Sequence, residues 1–145
     1  YGPRMRPNMA ISNFVSRAFA GAPLQIYGDG SQSRDFTYVA DIVDVNRRLA
    51  ATDEADGRVL NIGSGDQITI ARLATVIRDA IDPEIEIEHR DGFAIDAPHT
   101  RADTSLAASL LGYSPSYSIR EGVDAFIRWY AAHRDWYAPL VRGSV

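Results

Sequence analysis

Arg34, Asp35 and Phe36 follow a turn bounded by Gly28 and Gly30. An arginine just past such a turn can reach into a cleft and take two phosphate oxygens as a bidentate pair. The same guanidinium can instead pair with Asp35 or Asp41 at the surface. Tyr27, immediately before the turn, has the flat ring that stacks on a nucleotide base, and it serves equally well as strand filler. Gly63-Ser64-Gly65-Asp66-Gln67-Ile68 opens like a dinucleotide-binding turn, where glycines let the backbone approach phosphates at a helix start. The pattern stops at Ile68, where close helix packing needs a third glycine, so the spacing reads as a tight strand-to-helix connection. Asp41 and Asp44 share one helix face, but no third ligand is spaced to complete a metal site. Acids near a helix start favour the positive end of its dipole, which accounts for both. His89, His99 and His133 lack metal-ligand or triad spacing, so no metal and no histidine chemistry is expected.

Composition removes further mechanisms. All fifteen basic residues are arginine. Without lysine there is no Schiff base, no phosphate-loop lysine and no Tyr-x-x-x-Lys pair, so a bound anion must be held by arginine, backbone amides or helix ends. Cysteine is also absent, which excludes disulfides, thiolate metal sites and cysteine nucleophiles. The formal charge of −4 and the mixing of Arg with Asp argue against a nucleic-acid footprint, which needs a basic face. No apolar run reaches membrane-spanning length, and the first residues do not resemble a signal peptide, so a cytoplasmic protein without membrane partners is expected. At 145 residues, the chain suits one domain, residues 1–145. It opens at Tyr1 without an initiator Met and runs into Gly2-Pro3, which suggests an excised piece.

The elements that must position these residues read as α/β. Apolar spacing predicts a helix from Met9 to Ala20, stopped at Gly21. Leu24 to Tyr27 reads as a strand, Asp35 to Val39 as extended, and Asp41 to about Thr52 as a helix. Val59 to Ile62 reads as a strand closed by Gly63. Thr69 caps a helix that carries Ile70, Leu73, Ala74, Ile77 and Ile81 and ends before Pro83. Ile85 to His89 alternates as a half-exposed strand does. Asp103 to Leu111 and Ser118 to about His133 complete the chain as helices. The strands are too few and short for a self-sufficient parallel sheet, so Val59 to Ile62 is expected to pair with strands of another domain, and the open edge to favour self-association.

Four blocks in order resemble the extended short-chain dehydrogenase/reductase family of NAD-dependent nucleotide-sugar epimerases, dehydratases and decarboxylases. They are Tyr1-Gly2-Pro3-Arg4; Gln25 to Gly30 running on through Arg34-Asp35-Phe36-Thr37-Tyr38-Val39 and Asp41; Leu60 to Gly65; and His99-Thr100 through Ala102-Asp103 to Leu111-Gly112-Tyr113-Ser114-Pro115. The resemblance implies a carboxy-terminal substrate-binding lobe, incomplete without an amino-terminal Rossmann domain. It implies a nucleotide-diphosphate sugar as ligand, with Arg34 on the diphosphate, Gln25 and Tyr27 along the base, and Phe36 close to the diphosphate. Arg90 and Asp96 fall where further ribose and phosphate contacts lie, while a second diphosphate arginine of the family is Phe93 here. Tyr1, Gly2 and Pro3 correspond to a segment near the nicotinamide end of the NAD cofactor. The family's NAD turn and its acid/base Tyr-x-x-x-Lys pair lie upstream, so this chain is expected to contain no catalytic residue, to bind NAD weakly and to be inactive alone. The intact protein is expected to be a homodimer, most like a UDP-glucose 4-epimerase. A UDP-glucuronate decarboxylase, a dTDP-glucose 4,6-dehydratase and a free-standing nucleotide-sugar binding module are the alternatives.

Overall fold

The computed structural model describes residues 1–92 and 97–142. In chain order, the elements are α1 (Ala10–Phe19), β1 (Leu24–Tyr27), β2 (Ser33–Arg34), α2 (Val39–Leu49), β3 (Ile68–Thr69), α3 (Ile70–Ile81), β4 (Ile87–Arg90), α4 (Ser105–Leu111) and α5 (Ile119–Arg142). The mixture of helices with short strands is the α/β class that the sequence predicts.

The core forms where the apolar faces of three helices meet one strand. Ile11, Phe14, Val15 and Ala18 of α1 pack with Leu73, Ala74 and Ile77 of α3, with Leu24 and Ile26 of β1, and with Val123, Phe126 and Tyr130 of α5. Alternation in β1 turns Leu24 and Ile26 inward and leaves Tyr27 exposed. β4 pairs with β1 in parallel, Leu24 opposite Ile87 and Tyr27 opposite Arg90. β2 pairs antiparallel with β3, Ser33 opposite Thr69 and Arg34 opposite Ile68. A smaller cluster joins Val45 of α2, Ala107 of α4 and Tyr113.

Helix ends follow their expected chemistry. The Thr69 hydroxyl accepts the Arg72 amide at 3.2 Å and caps α3. Gly112 closes α4 in the left-handed region at φ 59°, where a side chain would be strained. Val59 to Ile62 forms no ladder among the described residues, and Val59 is 91% exposed. Leu60 and Ile62 pack on the smaller cluster. The last helix runs beyond His133 to Arg142, because Tyr137 and Val141 are buried in the main core and the Tyr137 hydroxyl donates to the Met5 carbonyl at 2.8 Å.

Candidate functional site

A cleft of about 300 Å³ lies between three segments that are far apart in sequence. Arg34 and Phe36 form one wall, Ser64 and Asp66 to Ile68 the floor, and Pro115 to Ile119 the facing wall. The antiparallel pairing of β2 with β3 sets Arg34 beside Ile68, which fixes the backbone that carries the guanidinium. Arg34 Nη1 donates to the Ser33 carbonyl at 2.7 Å. Phe36 is held from behind by Tyr1, ring centroids 6.2 Å apart at 89°.

Asp35, between these two residues, organises the floor. Its carboxylate accepts the Ser64 amide at 2.8 Å, the Ser64 hydroxyl at 2.6 Å, and the Gly65 and Ala102 amides at 3.2 Å each. Burial pushes this carboxyl up, but the bonds from Ser64, Ala102 and Gly65 outweigh it and hold the group below the usual aspartate range. The Gly63-Ser64-Gly65 turn therefore does grip an anion, and the anion is the chain's own carboxylate. Gly63 is needed there, because a Cβ at that position would stand 2.6 Å from Asp35 Oδ2 and 2.5 Å from Ala102 Cβ.

The facing wall is tied to the start of α2. Asp41, only 3% exposed, accepts the Ser116 amide at 2.9 Å across 75 residues of chain. The Tyr117 ring lies 4.6 Å from Tyr38, centroid to centroid. Asp44, one turn on, pairs with Arg48 at 2.8 Å on the surface. Asp41, the first-turn acid, is thus a buried tertiary tether, and Asp44 is a solvated acid paired within its own helix.

The predicted residues divide into two groups. Arg34 and Phe36 line the cleft together. Gln25, Tyr27 and Arg90 lie on the β1–β4 pair and are not among the cleft's lining residues. With its amide oriented to satisfy its neighbours, Gln25 accepts from Arg90 Nη2 at 3.0 Å and from Arg17 Nη2 at 3.1 Å. Arg90 also pairs with Glu88 at 2.7 Å. Asp96 lies outside the described residues. Among those described, no cluster of His, Asp or Glu suited to a metal ion occurs, and no helix is long and apolar enough to cross a membrane.

The Tyr1 to Pro3 segment is pinned by its first residue to the chain that follows the cleft arginine. The Tyr1 backbone nitrogen donates to the Thr37 carbonyl at 2.7 Å, and the Tyr1 carbonyl accepts from Val39 at 2.8 Å. The Ser64 and Gly65 amides already hold Asp35. These two amides are therefore not open to a cofactor phosphate.

Sequence reasoning missed the floor residues Asp66 and Gln67 and the whole facing wall. No local signal marks Pro115 to Ile119; what builds the wall is a hydrogen bond and a ring contact to α2, both long-range.

A sequence model of the NAD dependent epimerase/dehydratase family matches residues 1–63. The chain is 36% identical over 151 residues to a probable UDP-glucuronate 4-epimerase of Rhizobium meliloti (strain 1021), covering 90% of this chain and 43% of the relative. It is 35% identical over 130 residues to UDP-glucuronic acid decarboxylase 2 of Arabidopsis thaliana, covering 88% of this chain and 29% of the relative. Among solved structures, the UDP-glucuronic acid 4-epimerase of Bacillus cereus, in complex with UDP-glucuronic acid and NAD, superposes with a TM-score of 0.85 at 31% identity. That match covers 92% of this chain and 43% of the enzyme. The chain thus spans less than half the length of the proteins it matches.

Proposed function

Because the chain belongs to the NAD-dependent epimerase/dehydratase family, we propose that it is the carboxy-terminal, nucleotide-sugar-binding portion of an epimerase acting on a UDP-sugar. The observation that carries this reading is the shared cleft of Arg34 and Phe36, whose size is that of a small-ligand pocket. In it, Arg34 takes the diphosphate of the ligand as a charge-assisted pair, and Phe36 shields that pair from water. Gln25 and Tyr27 receive the base along β1, and Arg90 and Asp96 add contacts to the ribose and phosphates. The likeness to an epimerase solved with UDP-glucuronic acid and NAD supports a nucleotide-diphosphate sugar as ligand.

The chain's own part in the reaction is to bind and orient. It contains no lysine, so an acid/base Tyr-x-x-x-Lys pair and the NAD site belong to another part of the intact protein, a cytoplasmic homodimer in which Tyr1 to Pro3 face the nicotinamide end of the cofactor. These 145 residues alone do not turn over substrate.

Calorimetric titration of UDP into the chain and into Arg34→Ala tests the reading. Loss of the bidentate contact weakens UDP by about 1.5–3 kcal/mol, roughly ten- to 150-fold. An unchanged affinity in Arg34→Ala removes that residue from the site.

A further inference from the structure

The facing wall is built more firmly than a connecting loop requires. Asp41 holds the Ser116 amide, and Tyr38 supports the Tyr117 ring. Ser118 and Glu121 form a reciprocal cap: the Ser118 amide donates to Glu121 Oε2 at 2.9 Å, and the Glu121 amide to Ser118 Oγ at 3.3 Å. Tyr38 and Asp41 follow directly on Arg34 and Phe36, so one continuous piece of chain supplies one wall and anchors the other. Asp41 Oδ2 is buried without a hydrogen-bond partner among the described residues. A carboxylate kept at such cost, with a single bond to a backbone amide, is placed there to hold that backbone.

What the wall presents is chemically specific. Tyr117 is 40% exposed, and neither its hydroxyl nor that of Ser116 makes a hydrogen bond among the described residues. Across the floor, Asp66 uses one carboxylate oxygen on the Gln67 amide at 2.8 Å. An aromatic face flanked by hydroxyl and carboxylate groups matches a polyhydroxylated ring, which needs several hydrogen-bond partners at its rim and an apolar surface beneath it. A planar base has no such rim of hydroxyls.

We propose that Pro115 to Ile119 is the sugar-contacting wall of the cleft, with Tyr117 and Ser116 as specificity-determining residues and Asp41 as the residue that positions them. The proposal rests on the reading of Arg34 as the diphosphate ligand. It implies that the sugar lies toward Tyr117 and the base away from it.

Calorimetric titration of UDP and of UDP-glucose into the chain, Tyr117→Ala, Tyr117→Phe, Asp41→Ala and Arg34→Ala separates the two readings. The parent chain binds UDP-glucose more tightly than UDP. Tyr117→Ala erases about tenfold of that preference and leaves UDP within about twofold, while Tyr117→Phe keeps most of it. Asp41→Ala, which leaves the Ser116 amide without its acceptor, behaves like Tyr117→Ala; if it does not fold, the Tyr117 pair decides. Equal loss of both ligands in Tyr117→Ala, no change in either, or a parent with no preference for UDP-glucose overturns the wall. Arg34→Ala weakens both ligands alike, and if it weakens neither, the diphosphate reading falls whatever Tyr117 does. A parent chain that binds neither ligand overturns both.

Discussion

Asp35 stands beside the arginine that lines the cleft, yet its charge is taken up by Ser64, Gly65 and Ala102. Replacing it with Asn leaves an amide that cannot accept all of those donors, so Asp35→Asn destabilises the fold at neutral pH by about 1–3 kcal/mol, the cost of buried donors left unmade. The sign of the pH dependence follows from the folded carboxyl lying below its ordinary value. Its stabilisation is complete above the unfolded aspartate range, near pH ~4, and is lost as pH falls through the lower folded value. Thermal melts between neutral pH and strong acid check this. The gap between the parent and Asp35→Asn closes as the solution is acidified below pH ~4, and a gap independent of pH contradicts the clamp. The sequence made Arg34 and Phe36 legible because a glycine-bounded turn followed by Arg is a local pattern. Which acid neighboured the arginine in space was not, since Asp35 is satisfied by residues 29 and 67 positions away.

Among the elements, those written in side-chain periodicity were readable and those completed by tertiary contact were not. α1 and α3 fall where their apolar spacing places them, and Thr69 caps α3 as its type predicts. The Val59 to Ile62 segment has the alternation of a strand and seats Leu60 and Ile62 on the smaller cluster, while the strands it is expected to pair with belong to another domain. α5 runs past His133 because Tyr137 and Val141 reach the main core, information carried by α1 and Met5 and absent from the local sequence. This extension is testable. Tyr137 is 2% exposed and packs edge-on against Phe126 and Tyr130, whereas Trp136 is 47% exposed. Tyr137→Ala lowers unfolding free energy by about 3–5 kcal/mol, and the neighbouring Trp136→Ala costs less than about 1 kcal/mol, as measured by chemical denaturation. Similar costs for the two would mean that the end of α5 is not docked as described.

On the scale of the whole molecule, the cleft is a junction. Its walls come from residues 34–36, 64–68 and 115–119, and its supports from α2 and the start of α5, so no single element can form it alone. A ligand that fills it binds only the folded arrangement, and at a hundred times its dissociation constant it adds about 2.7 kcal/mol to stability. Because the segments are joined by Asp35 and Asp41, that stabilisation spreads beyond the atoms touched. Hydrogen exchange with saturating UDP-glucose is expected to slow at the amides of Ser64, Gly65 and Ser116 together, since each of these donates to one of the two carboxylates. UDP alone is expected to protect Ser64 and Gly65, next to Arg34, more than Ser116. Protection confined to residues 34–36 with either ligand would mean that the three segments respond separately, and the cleft would then be a coincidence of loops without a shared mechanical frame.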